Sequence, residues 1–564
     1  MTSRAHRVFW SVLFLAATVQ CSGSITPPGA TDPEPVETGK GGSGGGAAGA
    51  NGGVGGSGGR SSPESGGETG ASGPDASAGQ DSGTSPPGSA PAEDAGVNST
   101  PAGPWARGIQ IGLVEVSQGV FIKLGEREQV VAPADRNAPL IEGRPMVVRI
   151  FVTPGPEFTS RRLRGVVSIE TNGVTKQFEE TKTINEASDP DEIDSTFNVL
   201  IPAAEVKPDA SLWAAIYEEG AATGEDPGSP PRFPASGATD LAVKAGRMVL
   251  DVVMVPVTGP GGPLDDTPAR RKTLENHIYD LYPVQQVNLK FRPPVVVNAR
   301  ITERTEAFGL LRDARTEDGA SARPWEYYHL LVAREDTTFN FSGTAGGRGG
   351  GANDPGARRV ALTLVRRRAI DGNTNTGAHE LGHNHGEGHI PACGAGGNNS
   401  TYPLPQGELP TGGWSLSENA LKERGRFKEL MGYCRPRWIS DFMWKRFEER
   451  VRSVSTTASE TPPEAVAFAE RSLVGYVAPG ERPNWGMVPE RLVADGTTMT
   501  SGRYARVVLD DGRVISAPVS VHVMSDEVTR ELAVTLPPGA EAEHAEVFVD
   551  GERFTIGTPT LIRQ

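Results

Sequence analysis

A multidomain chain is predicted, with an α/β domain (a mixed sheet and a histidine-bearing helix) flanked by β-sandwich-like modules behind a disordered N-terminal tether. Three observations predict it. Glycine and proline are dense, at 71 and 46 of 564 residues, and residues 22–104 contain almost no large apolar side chain. Short runs of alternating apolar and polar residues fill the regions on both sides of the centre. Between those regions, strand and helix patterns alternate and lead into the stretch from His379 to His389.

Composition sets the outer bounds. With 37% hydrophobic residues the chain can bury several cores, and a net charge of −15 argues against nucleic acid as a partner. Residues 1–21 place Arg4 and Arg7 ahead of an apolar run from Val8 to Val19. That run is too short to span a bilayer and reads as the core of an export signal. Cys21 directly after it resembles the acylated cysteine of bacterial lipoproteins, although Gln20 departs from the usual residue before the cysteine. A cleaved signal and a freely secreted protein is the alternative. Residues 22–104 cannot bury enough surface to offset their ordering entropy and are expected to stay disordered, as a flexible tether behind the anchor.

Residues 105–245 show period two. Val147 to Val152, Gly165 to Glu170 and Phe197 to Ile201 read as strands between loops rich in Pro, Asp and Gly, and suggest a β-sandwich-like module. Residues 246–453 form the α/β domain. Val249 to Val257 is a buried strand. Thr267 caps and Pro268 opens a helix whose stripe is Leu274, Ile278 and Leu281. Strands follow at Val287 to Phe291, Tyr327 to Ala333 and Val360 to Val365. From Ser440 onward Met443, Phe447 and Val451 recur at helical spacing, with Trp438 and Trp444 read as core. Residues 465–564 hold two hairpins, around Asp510 to Arg513 and around Asp550-Gly551, in a small β module. His522 and His544 lie there in strands, far from any partner motif, and receive no metal role.

The central stretch reads H-E-x-x-H-x-x-G-x-x-H: His379, Glu380, His383, Gly386 and His389. On a helix His379 and His383 project from one face and can bind one cation. Gly386 permits positive φ, ends the helix and lets His389 return as third ligand. Three neutral imidazoles with one position left for water is the arrangement of a catalytic zinc site, one Zn2+ ion. Glu380, one position round, can hold and deprotonate the water as general base. His385 falls off the ligand face and is expected to be solvated or behind the ligands. Of three cysteines, Cys21 belongs to the signal boundary, which leaves Cys393 and Cys434 as an even pair in an exported chain. A disulfide between them is the simplest reading; a zinc-bound thiolate is the alternative.

The pattern from His379 to His389 resembles that of the metzincin zinc endopeptidases, whose other mark is a methionine-bearing turn beneath the metal. Glu429 to Cys434 can supply that turn, with Met431 at its centre. The resemblance implies that Tyr433 reaches the zinc as an extra ligand or hydrogen-bond donor; a core tyrosine is the other reading. The flank Arg435 to Phe442 resembles secreted bacterial metzincins related to the StcE-like mucin-cleaving proteases. In metzincins an edge strand pairs with the extended substrate, and the glycine-dense segment Ser342 to Gly347 is expected to border the cleft on that account. The resemblance implies a zinc metalloendopeptidase acting on extracellular proteins, glycoproteins among them. Localisation is expected to be exported, as a cell-surface or outer-membrane lipoprotein or secreted, with membrane contact only through an acylated Cys21. A surface adhesin with a vestigial protease fold is the competing expectation.

Overall fold

The computed structural model describes residues 103–220, 229–319, 323, 325–346, 356–396, 399, 401–460, 470–493 and 496–557, with backbone alone for 456–460. The signal at 1–21 with Cys21, and the tether up to residue 102, lie outside the described residues. So does Gly347 of the glycine-dense segment. The chain is mostly β-sheet, with four α-helices among the described residues.

The first module is two antiparallel five-stranded sheets. One runs in the order 129–130, 121–126, 109–117, 146–154, 197–201, and the other is built on 239–240, 211–218, 161–171 and 174–184. Alternation explains Phe197–Ile201, where Phe197, Val199 and Ile201 turn inward while Leu200 is 55% exposed. Met146–Pro154 departs from alternation because its outer face is covered as well: Val147 packs with Phe121 and Trp414 of the next domain. Pro104, just before the expected boundary at 105, already belongs to this module, since its carbonyl accepts the Glu218 N–H.

In the α/β domain the sheet order is 286–291, 249–258, 327–333, 360–365, 343–345. The first four strands are parallel and the last is antiparallel. Period two divides its two faces. Leu250, Val252 and Met254 join a core with Leu274, Ile278 and Leu281 of helix α1 (Pro268–Leu281) and Leu381 of helix α3 (Thr374–Asn384). Val253, Val255 and Val257 join another with Phe308 and Leu311 of helix α2 (Arg304–Asp318). Three sequence expectations need correction. Thr267 holds the N-cap position of α1 but makes no side-chain capping bond. Helix α2 was not foreseen, because Gly309 and its many charged residues mask its buried side. Helix α4 (Asp441–Glu460) runs beyond the expected boundary at residue 453, capped at its start by the Ser440 hydroxyl, which accepts the Met443 N–H.

The last module is two four-stranded antiparallel sheets, with Leu473, Leu532 and Val534 of one packed on Ala505, Val507 and Val547 of the other. Both predicted hairpins form, 503–509 with 514–518 and 542–549 with 552–556. This module is not separate from its neighbour. Val474, Tyr476, Val488 and Met524 belong to the same core as α2 and the parallel sheet.

Candidate metal centre

Strand 360–365 delivers the chain to α3, and the Asn373 side chain ties the junction, donating to Leu364 O and accepting from the Thr376 hydroxyl. Helix α3 ends at Asn384, and Gly386 takes φ of 94°, a conformation that favours glycine. The Glu387 N–H returns to Gly382 O, so the chain bends back and brings His389 under the helix.

Each imidazole is oriented by its far nitrogen. His379 Nδ1 donates to Leu430 O at 2.8 Å and His383 Nδ1 to Glu387 O at 2.7 Å, which leaves both Nε2 atoms for the centre. His383 Nε2 and His389 Nε2 are 3.1 Å apart, and the ligand atoms of all three histidines lie within 4.8 Å of one another. Ligands sharing one tetrahedral zinc sit about 3.3 Å apart. Burial, reinforced by His383, holds His379 well below the usual imidazole range, so it presents a neutral lone pair. Glu380 is buried, and its Oε2 has no hydrogen-bond partner. Burial pushes its carboxyl well above the ordinary value; Arg437 opposes and Asp526 reinforces that shift. Three converging imidazoles beside an orphaned buried carboxylate oxygen fit a divalent cation with an associated water.

The turn at Met431 lies beneath the helix. A Cβ added at Gly382 would stand 2.4 Å from Met431 Sδ, so this glycine is what lets the methionine approach. The Cys393–Cys434 disulfide is present and closes the loop between α3 and that turn. The Tyr433 hydroxyl lies 3.3 Å from His389 Nε2, on a side chain that is 44% exposed, so it is a rim residue and not a core one. For His385 the structure excludes the solvated alternative and leaves the one behind the ligands. It is buried, stacked on Tyr327, with Nδ1 on Leu381 O.

The glycine-dense segment does border the site. A Cβ at Gly343 would meet Glu380 Oε1 at 2.6 Å. Pairing of Thr344 with Leu362 turns the N–H and C=O of Ala345 outward, to the free edge. That edge is occupied there: Ser525 of the last module donates its N–H to Ala345 O at 3.0 Å and accepts the Ala345 N–H on Oγ at 2.8 Å. His522 is likewise not remote. With Met524, Ser525 and Glu527 it walls a cavity of about 330 Å³ whose other wall is His383, Gly388 and His389.

No protein-family model matches the chain, and no curated protein matches it. The geometry therefore stands by itself. Sequence reasoning missed Glu387, buried, which pairs with Arg446 at 2.6 Å and accepts from Asn399, fixing the turn that carries His389. An acidic residue inside the motif was its only visible signal. Arg437 was read merely as part of a flank, yet its charge reaches Glu380, His379 and Tyr433.

Proposed function

We propose that the protein is an exported zinc-dependent endopeptidase of metzincin type, acting on extracellular proteins, glycoproteins included. The observation that carries the reading is the convergence of the His379, His383 and His389 nitrogens beside Glu380 Oε2. A zinc ion held by the three imidazoles would supply Lewis acidity, acidifying water and polarising a carbonyl. Glu380, buried against the Gly343 backbone, is placed to take a proton from the attacking water and pass it to the leaving amine. The Tyr433 hydroxyl, beside His389, donates to the carbonyl oxygen as negative charge develops on it. Gly343 and the loop 522–527 wall the site and limit water around the reacting groups. Export rests on the pattern of residues 1–21, with Cys21 as lipid attachment point.

Purified protein is expected to carry one zinc per chain and to cleave casein or a mucin-type glycoprotein in a chelator-sensitive way. Glu380→Ala should keep the zinc and lose about 10²-fold to 10⁴-fold in rate. Equal cleavage by that variant removes the mechanism. Ser525 on the sheet edge is the one observation favouring the adhesin, since it closes part of the surface that an extended substrate would use. Glycoprotein binding that survives chelation, with no cleavage by zinc-loaded protein, would establish that reading instead.

A further inference from the structure

Strand 437–438 pairs in parallel with 428–429, immediately before the turn at Met431. Successive residues of a strand face opposite sides. Trp438 faces the interior, where its indole donates to Gly119 O at 2.8 Å. Arg437 faces the metal centre: its Cζ stands 5.9 Å from the ring of Tyr433, whose hydroxyl touches His389.

Its environment is unusual for an arginine. The side chain is more than nine-tenths buried, its Nε has no hydrogen-bond partner, and it makes no ion pair with a described residue. A buried guanidinium in a protein is ordinarily forked onto a carboxylate or onto carbonyls. Arg144 of this same chain shows the satisfied case, with all three guanidinium nitrogens on backbone carbonyls. Nor is Arg437 the fixed partner of Glu380, because Glu380 Oε2 is orphaned too. The two groups are near enough to interact through space and are not bonded to each other, so each is left for something else. Exposed Arg435 adds a second positive charge on the same side, which repels Arg437 and depresses its proton affinity further after burial has done so. A cationic lip on a chain of net charge −15 is not a product of overall composition.

We propose that Arg437, with Arg435 at the mouth, forms an anion subsite that receives a substrate carboxylate next to the scissile bond. It rests on the protease reading and adds the substrate class: acidic sequences. The planar fork of arginine matches a carboxylate bidentately, and the largely buried side chain holds it in one place. The carboxylate is that of an Asp or Glu side chain, since an endopeptidase cuts away from the free end of the peptide. Arg437 is a specificity-determining residue in this scheme, and Glu380 keeps the proton-transfer role.

The test uses the zinc-loaded full chain on a peptide library with Asp/Asn and Glu/Gln pairs at each position around the cut, each made with free and with amidated C-termini. The wild type should prefer one acidic position, with free and with amidated C-termini alike, by about tenfold to a hundredfold in kcat/KM. Arg437→Gln should abolish that preference, bringing kcat/KM on each acidic peptide to that of its neutral partner measured with the same variant. Arg437→Lys should keep part of it, because the charge stays and the fork goes. Zinc content and the thermal midpoint of both variants report folding separately. An acidic side-chain preference supports the subsite; a preference for the free terminus in its place overturns it, because the cut would then lie at a chain end. Cleavage by the wild type with no acidic preference, or a preference unchanged in Arg437→Gln, overturns the inference and leaves the protease reading intact. Failure of the zinc-loaded wild type to cleave any peptide sinks the protease reading, and the subsite with it.

Discussion

Single side chains, and single missing side chains, set the centre. Gly382 is a helix residue whose replacement by alanine would ordinarily gain about 1 kcal/mol from propensity. Here the added Cβ meets Met431 Sδ at 2.4 Å and Phe447 Cζ at 3.1 Å. Overpacking of that kind costs about 1 to 3 kcal/mol, so Gly382→Ala should destabilise on balance, and Met431→Ala in the same chain should recover part of the loss in urea unfolding. Gly343→Ala acts differently. Its Cβ would press on Glu380 Oε1 and on Thr376. Zinc content should hold while kcat falls on the order of 10²-fold, as expected when a proton-transfer group is displaced. Glu429 supports the Met431 turn by accepting the N–H groups of Met431 and Ser440 at 3.3 and 2.8 Å. Burial pushes its carboxyl up to about 7 in spite of those bonds. The folded chain then holds the proton more tightly than the unfolded chain, whose glutamates titrate near about 4.3. The resulting stability is fully present below that value and is lost as pH rises through about 7. Between pH 5 and 7.5 the wild type should lose about 1 to 3 kcal/mol more than Glu429→Gln in matched urea titrations. Parallel losses in the two proteins would rule this out; metal-ligand protonation is common to both and cancels.

At the scale of elements, what could be read from the sequence was local, and what could not was brought in from afar. The i to i+4 spacing of His379 and His383, the glycine at 386 and the period-two runs each act within a turn or a strand, and the structure follows them closely. The pairing of Cys393 with Cys434 was legible by arithmetic alone. Edge occupancy was not. Ser525 lies 180 residues from Ala345, on a hairpin that carries no motif. Helix α2 was hidden for a related reason: its buried face includes Arg312 and Arg315, which are satisfied by the distant module through Asn484 O and Glu490. The Ser525 contact has a measurable consequence. Ser525→Ala removes the acceptor for the Ala345 N–H while the N–H of residue 525 stays on Ala345 O, so one of the two edge bonds is released to an incoming peptide backbone. One hydrogen bond of this class corresponds to about 1 kcal/mol, so KM for extended peptides should fall by roughly fivefold with kcat unchanged. A KM that does not move would mean that substrate never reaches this edge.

Over the whole molecule, sequence composition draws module boundaries that the packing does not respect. The first sandwich and the α/β domain share one core, in which Val148 and Ile150 lie with Leu274, Met443 and Trp444. The Trp444 side chain meets backbone at the junction: a Cβ at Gly119 would stand 2.3 Å from its ring, and its indole donates to Pro139 O. Arg144 is the clearest bond across it. Fully buried in the first module, it donates from Nε to Gln118 O and from its two terminal nitrogens to Tyr279 O, Tyr282 O and Val284 O at the end of α1. Burial lowers its proton affinity, yet the carbonyls surrounding it satisfy the charge. Because these contacts join the layers, the first sandwich and the α/β domain should unfold together, with calorimetric and van't Hoff enthalpies in agreement. Arg144→Met fills much of the volume but takes the guanidinium donors from Gln118 O, Tyr279 O, Tyr282 O and Val284 O, of which Tyr282 O keeps the Val284 N–H, at about 3 to 5 kcal/mol. That variant should lower the one transition as a whole and release zinc at the same temperature at which the sheets melt. If the sandwich were an independent module, the variant would instead split the trace, with an early transition that leaves the metal in place, and the shared core would have no energetic meaning.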